Sequence, residues 1–240
     1  MKKIITISII ICILLILNLS FSSFHLYNNF NFRAKADNLV EIIFNTLSSN
    51  LILVNKENNL PENYIPEDMV IPDIPFYTDD LSRMRMKKES AEALENLFEK
   101  AKKDNIDLAG LSAYRSYSRQ KSIFQNKVQN RGWESASKFS AQPGHSEHQT
   151  GLAIDITSPS VNYQLSQNFG QTREGKWLAD NAAQSGFIIR YPEGKEKITK
   201  YEYEPWHLRY VGKDHAQTIT EYDLTLEEYL NDIKKGILLN

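Results

Sequence analysis

The alternation of apolar and polar residues predicts a domain of helices and short strands. From Ser90, the stretch SAEALENLFEKAKKDN repeats apolar residues at helical spacing, and Ser90 is its predicted N-cap. The stretch GLAIDIT alternates, which puts Ile154 and Ile156 on one face of a strand and Asp155 on the other. The same patterns predict further helices in SRQKSIFQNKVQNRG, stopped at Gly132, in KWLADNAAQSG, stopped at Gly186, and in TLEEYLNDIKKGILLN, and further strands in IDLAGLSAY, FIIRYP and EPWHLRYVG.

The order of these segments predicts the α+β class. Helices are interspersed with short strands, without the regular alternation of parallel βαβ units. We therefore expect a single domain with a small, mostly antiparallel sheet flanked by helices and preceded by an N-terminal apolar helix. The proline-rich stretch 51–76 predicts an extended segment ahead of the first helix, because proline is excluded from helix interiors.

The N-terminus predicts an export or anchoring segment. Lys2 and Lys3 precede an apolar run without charged side chains, nearly as long as the roughly 20 residues that span a bilayer. Residues 1–23 are predicted to be a signal-anchor or a signal peptide, with the uncleaved anchor preferred. Residues 24–50 are a predicted linker or stalk with a helical part, and residues 51–235 are the predicted domain. Both alternatives place that domain outside the cytoplasm, membrane-anchored or secreted.

Charge and cysteine content narrow the function classes. The 28 Lys and Arg residues against 30 Asp and Glu give a net charge of −2 without a basic patch, so a nucleic-acid partner is not expected. The one cysteine, Cys12, lies in the apolar run. The predicted domain therefore lacks a thiol for a disulfide, a nucleophile or a metal ligand. A metal site there must use His, Asp and Glu.

Two short stretches together indicate such a site. PGHSEHQTGLAIDI contains His148 and Asp155, with Gly151 between them to let the chain turn so that both can face one ion. Further on, EPWH places Glu204 three residues before His207, and the proline between them requires a bend or bulge.

Zinc chemistry accounts for these residue types. A catalytic zinc takes three protein ligands and leaves one position open, and a carboxylate that is not a ligand moves the proton. His148, Asp155 and His207 can supply the ligands, and Glu204 can supply the base. A lone histidine is more often structural, and we expect His145 to have only a loop role.

These stretches resemble the peptidase M15 family of VanY-type D-alanyl-D-alanine carboxypeptidases and L,D-carboxypeptidases. The family combines S-x-H-x-x-G-x-A-x-D with a later E-x-W-H, which here are SEHQTGLAID and EPWH. The segments YRSYSRQ, GFIIRYPEGKEKIT, WHLRYVG and LVNKENNLPENYIP are also similar, so the resemblance covers roughly Leu51 to Gly212. One departure is Lys200, where the family pattern has glycine, and it affects a turn rather than the chemistry.

The resemblance implies a function and a set of site residues. The implied function is a Zn²⁺-dependent carboxypeptidase that removes the terminal D-alanine of peptidoglycan stem peptides, with D-Ala-D-Ala or L,D specificity. The implied site residues are the zinc ligands His148, Asp155 and His207, the catalytic base Glu204 and the substrate-binding residues Arg115, Gln120 and Ser146. Within this set, Arg115 would receive the terminal carboxylate, which an Arg guanidinium can bind bidentately.

Two other functions remain open from the sequence. A related zinc endopeptidase would use the same catalytic set, although its substrates lack a carboxylate for Arg115. A non-catalytic, zinc-containing cell-wall-binding module would need the ligands but not Glu204. In each case the expected partners are peptidoglycan stem peptides and, through the apolar segment, the membrane, and the domain is expected to be monomeric.

Overall fold

The computed structural model describes residues 50–235, except the side chains of residues 138 and 139. The apolar helix expected at 1–23 and nearly all of the linker expected at 24–50 lie outside the described residues. Within 50–235, no helix has the length and hydropathy required to cross a bilayer. The described part belongs to one structural unit that begins at Asn50.

Six strands and six α-helices build the described part of this unit, residues 50–235. The strands are β1 (Met69–Val70), β2 (Met86–Lys87), β3 (Ala109–Ser112), β4 (Ala153–Thr157), β5 (Phe187–Tyr191) and β6 (Glu204–Tyr210). The helices are α1 (Lys88–Lys103), α2 (Tyr117–Phe139), α3 (Arg173–Asn181), α4 (Glu196–Thr199), α5 (Lys213–Glu221) and α6 (Leu226–Lys234). Short 3-10 helices cover Leu81–Arg83, Glu147–Thr150, Pro159–Val161, Gln167–Gln171 and Ala182–Ser185.

An antiparallel four-stranded sheet with the order β3-β4-β6-β5 lies at the centre of the unit. A second, two-stranded sheet pairs β1 with β2. This confirms the expected single α+β domain with a small antiparallel sheet. The central pair matters most for the site, because the β4–β6 register sets Asp155 directly opposite His207.

The hydrophobic core covers one face of this sheet. Leu94 and Leu97 of α1 belong to the same buried cluster as Ile154 and Ile156 of β4. Each such side chain contributes about 1.5–3 kcal/mol through apolar burial. The alternation predicted for β4 is therefore confirmed: the isoleucines enter the core, and Asp155 points to the opposite face, where the pocket lies. A second cluster packs α5 and α6 against β5.

Two predicted helix boundaries were wrong. Helix α1 begins at Lys88 and not at Ser90, because the chain passes directly from β2 into the helix. The Ser90 hydroxyl instead donates to the carbonyls of Lys87 and Gly151 at 2.7 and 3.2 Å. Gly132 interrupts α2 with non-helical angles (φ 76°, ψ 163°), but the helix resumes and continues to Phe139. Glycine therefore kinks this helix rather than ending it.

Candidate metal centre and active site

A left-handed turn brings His148 back over β4. The 3-10 helix Glu147–Thr150 ends at Gly151, which has φ 70°, and β4 begins two residues later. A Cβ at Gly151 would lie 3.2 Å from Lys87 Cγ and 3.3 Å from Pro66 Cγ, so space and backbone angle both favour glycine. The predicted role of Gly151 in orienting His148 is confirmed.

A bulge in β6 brings Glu204 and His207 to the same pocket. Tyr191 of β5 pairs with Glu204, and Ile189 pairs with Leu208. Between these two pairs β6 therefore contains two more residues than β5. The extra residues surround Pro205, which cannot donate a ladder hydrogen bond. The bend predicted for EPWH is confirmed, and both side chains line the pocket.

The three predicted ligands form one buried cluster. One ligand atom from each of His148, Asp155 and His207 lies within 4.8 Å of the others. Asp155 Oδ1 is 3.1 Å from His207 Nδ1, and Asp155 Oδ2 is 3.4 Å from His148 Nε2. A tetrahedral zinc with bonds of about 2.0–2.1 Å needs ligand atoms about 3.3 Å apart. The distances to Asp155 and the all-His/Asp donor set therefore fit zinc.

The outer nitrogen of each histidine has its own oxygen partner. His148 Nδ1 lies 2.7 Å from the carbonyl oxygen of Ala113. His207 Nε2 lies 3.4 Å from Glu147 Oε2. Hydrogen bonds of this kind set the ring orientation of metal-binding histidines and select the nitrogen that faces the ion. Here the inner atoms are Nε2 of His148 and Nδ1 of His207.

The electrostatics of the cluster suit the displacement of a proton by a cation. Burial alone would lower the pKa of His207, but hydrogen bonds to Asp155 and Glu147 raise it to about 9. Burial and the nearby Arg115 lower the pKa of His148. Burial opposes ionisation of Asp155, yet the two histidines hold its pKa well below the ordinary value. A cation bound by these three residues would replace the proton on His207.

Glu204 is a carboxylate beside the cluster but not part of it. Its Oε2 lies 4.0 Å from His207 Nδ1, and 24% of its side chain is exposed. Burial raises the pKa of Glu204 to about 7, with His207 opposing the change and Asp155 adding to it. A carboxyl group with a pKa near 7 is well matched to general acid–base chemistry at neutral pH.

Arg115 borders the cluster on the side of β3. Its Nη2 lies 3.8 Å from Asp155 Oδ2 and donates to Ser112 Oγ at 3.4 Å, while Nη1 donates to Gln120 Oε1 at 2.9 Å. The Gln120 amide also donates to the Ala141 carbonyl at 2.6 Å, and only 1% of this residue is exposed. Gln120 therefore holds Arg115 in place here, and its contact with substrate stays a prediction.

The candidate site opens into a cavity of about 310 Å³. Ser146 lines this cavity next to the metal cluster, and its hydrogen bond to substrate also stays a prediction. His145 points elsewhere, with Nδ1 2.7 Å from the Asn55 carbonyl, in agreement with the expected loop role. The lining residues are Arg115, Ile123, Lys127, Ser140, Ala141, Ser146, Glu147, His148, Asp155, Leu165, Tyr191, Tyr201, Glu204, Trp206 and His207.

Glu147 was missed by the sequence patterns. This fully buried residue accepts hydrogen bonds from Arg190 and Arg209, two arginines that are themselves fully buried. Each arginine lies within a mostly apolar strand of the sequence. Such a position predicts a buried cation, and a buried cation requires an acidic partner. That signal could not identify the partner, because Glu147 lies 43 and 62 residues away.

The turn after α4 explains the one departure from the family pattern. Lys200 has φ 64°, the left-handed conformation that glycine adopts without strain. The departure therefore affects a turn, as expected, and leaves the metal cluster intact.

Fold and site together define a class, a hydrolytic metallopeptidase domain with a buried His/Asp/His centre. The chain belongs to the VanY family, "D-alanyl-D-alanine carboxypeptidase", whose family model matches residues 83–213. The resemblance seen in the sequence is thereby confirmed.

Individual relatives agree with this assignment. The chain is 55% identical to the YodJ protein of Bacillus subtilis over 186 residues, which are 77% of this chain and 68% of that protein. The solved LdcB LD-carboxypeptidase has a TM-score of 0.74 and 54% identity, over 76% of this chain and 86% of its own. A VanY D,D-pentapeptidase mutant in complex with Zn(II) has a TM-score of 0.62 and 34% identity, over 76% and 99%.

Proposed function

We propose that this chain is a zinc-dependent carboxypeptidase that removes the terminal D-alanine from peptidoglycan stem peptides. The observation that carries the proposal is the buried cluster of His148, Asp155 and His207, with Glu204 beside it and Arg115 at its edge. The LdcB relative, solved for its peptidoglycan recognition, and the VanY relative, solved with Zn(II), support the substrate class and the metal.

The residues divide the work of peptide hydrolysis. Zinc, held by the three ligands, would supply Lewis-acid activation of the water and of the scissile carbonyl. Glu204 as carboxylate takes the proton of the attacking water and passes it to the leaving amine. Arg115 binds the terminal carboxylate of the substrate and so aligns the last peptide bond with Glu204. A cation fixed at this place favours a chain end over an internal peptide bond.

We further infer an L,D specificity, with a tetrapeptide as the preferred substrate. The identity to the LD-carboxypeptidase LdcB is 54%, against 34% for the VanY D,D-pentapeptidase, over the same 76% of this chain. The L,D bond of a tetrapeptide and the D,D bond of a pentapeptide both end in a D-alanine carboxylate, so Arg115 serves either substrate. The distinction rests on the similarity and not on the catalytic set.

Product analysis with defined peptides tests the function and the bond together. The purified full chain should release D-alanine from a tetrapeptide faster than from a pentapeptide, as measured by mass spectrometry. A chelator should stop the release, and added zinc should restore it. Cleavage of internal cross-links would favour an endopeptidase instead. Bound zinc without any cleavage would favour a wall-binding module.

We also propose that the domain acts outside the cytoplasm as a monomer, attached to the membrane through residues 1–23. The location and the membrane attachment rest on the two lysines and the apolar run of the N-terminal sequence. Cell fractionation with protease accessibility of the intact chain would test the location. Sedimentation of the detergent-purified chain would test the oligomeric state. A cytoplasmic, protease-protected chain would contradict the first part, and a stable dimer the second.

A further inference from the structure

We propose that Glu147 is a positioning residue for His207, an inference that rests on the proposed zinc site. Glu147 directly precedes the ligand His148 in the chain, yet its side chain serves the other histidine. Its Oε2 lies 3.4 Å from His207 Nε2, on the side of the ring opposite to Asp155. The carboxylate thereby fixes the ring so that Nδ1 faces the ion.

The two oxygens of Glu147 have separate partners. Oε1 accepts from Arg190 Nε at 2.8 Å and from Arg209 Nη1 at 2.6 Å. Oε2 faces His207 Nε2. Two guanidinium groups on one oxygen set the plane of the carboxylate, and that plane determines where the second oxygen points.

Both arginines are anchored at their far ends. The Nη1 and Nη2 atoms of Arg190 donate to the two carboxylate oxygens of Glu227 at 2.8 and 2.7 Å. Arg209 Nη2 donates to the carbonyls of Asn50 and Ile52 at 3.0 and 2.7 Å. A rotation of the Glu147 carboxylate would leave buried guanidinium groups without their acceptor, so the carboxylate is rigidly held.

A carboxylate at Nε2 has a definite chemical effect on His207. Arg190 and Arg209 both donate to Oε1, so the side chain is a paired carboxylate and acts as an acceptor only. Nε2 must then carry the hydrogen, and the lone pair of Nδ1 is free for the metal. His148 uses the opposite arrangement, with Nδ1 at the Ala113 carbonyl.

A pair of matched variants tests the proposal. Glu147→Gln and Glu227→Gln each remove one carboxylate charge from Arg190, but only Glu147 contacts His207. Chelator competition on the full chain should show zinc affinity lowered roughly 10- to 100-fold in Glu147→Gln. Glu227→Gln should keep zinc affinity within about twofold of wild type, even if its melting temperature falls. Equal zinc affinities in the two variants would overturn the positioning role.

A measurement on the unaltered chain covers the case in which Glu147→Gln does not fold. Nitrogen-15 NMR of histidine-labelled wild type should show an exchange-protected proton on His207 Nε2, with or without metal. Cadmium-113 in place of zinc should couple to His207 Nδ1 and to His148 Nε2. In the zinc-loaded chain a His207 Nε2 without a proton, or rapid exchange at Nε2 in either state, would refute the contact with Glu147. Failure of wild type to bind zinc would instead count against the proposed function alone.

Discussion

Replacing Glu204 by glutamine is expected to stabilise the metal-free protein while abolishing its activity. Burial in the pocket raises the pKa of this carboxyl from 4.5 to about 7. Each pKa unit corresponds to about 1.4 kcal/mol, so ionised Glu204 costs the folded chain about 3 kcal/mol. Because 24% of the side chain is exposed, solvent screens part of this charge and the figure is an upper value.

The sign of the effect follows from the direction of the pKa change. The folded chain binds this proton more tightly than the unfolded chain, so Glu204 costs nothing at pH 4, where both states are protonated. As pH rises from about 4.5 to about 7, the unfolded chain releases this proton before the folded chain does, so the free energy of unfolding falls. The fall is complete at pH 8. Glutamine is neutral throughout this pH range. The free energy of unfolding of Glu204→Gln should therefore be higher than that of wild type at pH 8 and equal to it at pH 4.

Urea unfolding of the chelator-treated full chain at these two pH values measures the difference. Glu193→Gln, at an exposed carboxylate on the neighbouring loop, is the matched control and should show no pH-dependent gain. Zinc should narrow the gap between wild type and Glu204→Gln, because a nearby cation favours the carboxylate. If the two proteins differed equally in free energy of unfolding at pH 4 and pH 8, or did not differ at either pH, the assignment of a costly buried charge to Glu204 would be refuted.

Three further predictions concern the metal, the substrate and the turn. Because the pKa of His207 is about 9 without metal, zinc must compete with a proton below that pH, and zinc affinity should rise about tenfold per pH unit from pH 7 towards 9. Calorimetry repeated in several buffers should detect the released proton, and pH-independent binding would contradict this prediction. Arg115→Lys should lower kcat/KM for stem peptides roughly 10- to 100-fold at unchanged zinc content, because the bidentate contact is lost; unchanged kinetics would exclude the carboxylate contact. Gly151→Ala should lower stability by about 1–2 kcal/mol in thermal denaturation, because φ is 70°; a neutral effect would contradict the turn argument.

The metal cluster could be predicted from the sequence because each of its two halves is local and the family resemblance joins them. His148, Gly151 and Asp155 lie within eight residues, and EPWH supplies Glu204 and His207 together. Alternation in GLAIDIT also separated the core face from the site face correctly. The inferences within each half depend on spacing along the chain, which a single sequence displays directly. The union of the two halves, which are 52 residues apart from Asp155 to His207, depended on the family pattern.

Contacts between distant segments could not be predicted in this way. Nothing in the spacing connects Glu147 with Arg190, because their pairing arises only once β5 lies beside the metal cluster. The role of Ser90 was missed for a similar reason: its hydroxyl bonds to Gly151, which lies 61 residues away, so it does not cap its own helix. Gly132 shows the remaining limit, since the same residue type can end a helix or only kink it.

The hydrogen bonds from Arg209 to the carbonyls of Asn50 and Ile52 determine how far the catalytic domain can be shortened from its N-terminal end. A protein that starts at Leu53 would keep every helix and strand of the described residues, yet the buried guanidinium of Arg209 would lose two hydrogen-bond acceptors. The lower limit of the domain is therefore set by these hydrogen bonds, together with the packing of Leu51 and Ile52 on the core, and not by secondary structure. In a series of N-terminal deletions, stability should fall abruptly between residues 50 and 53, well before β1 is reached.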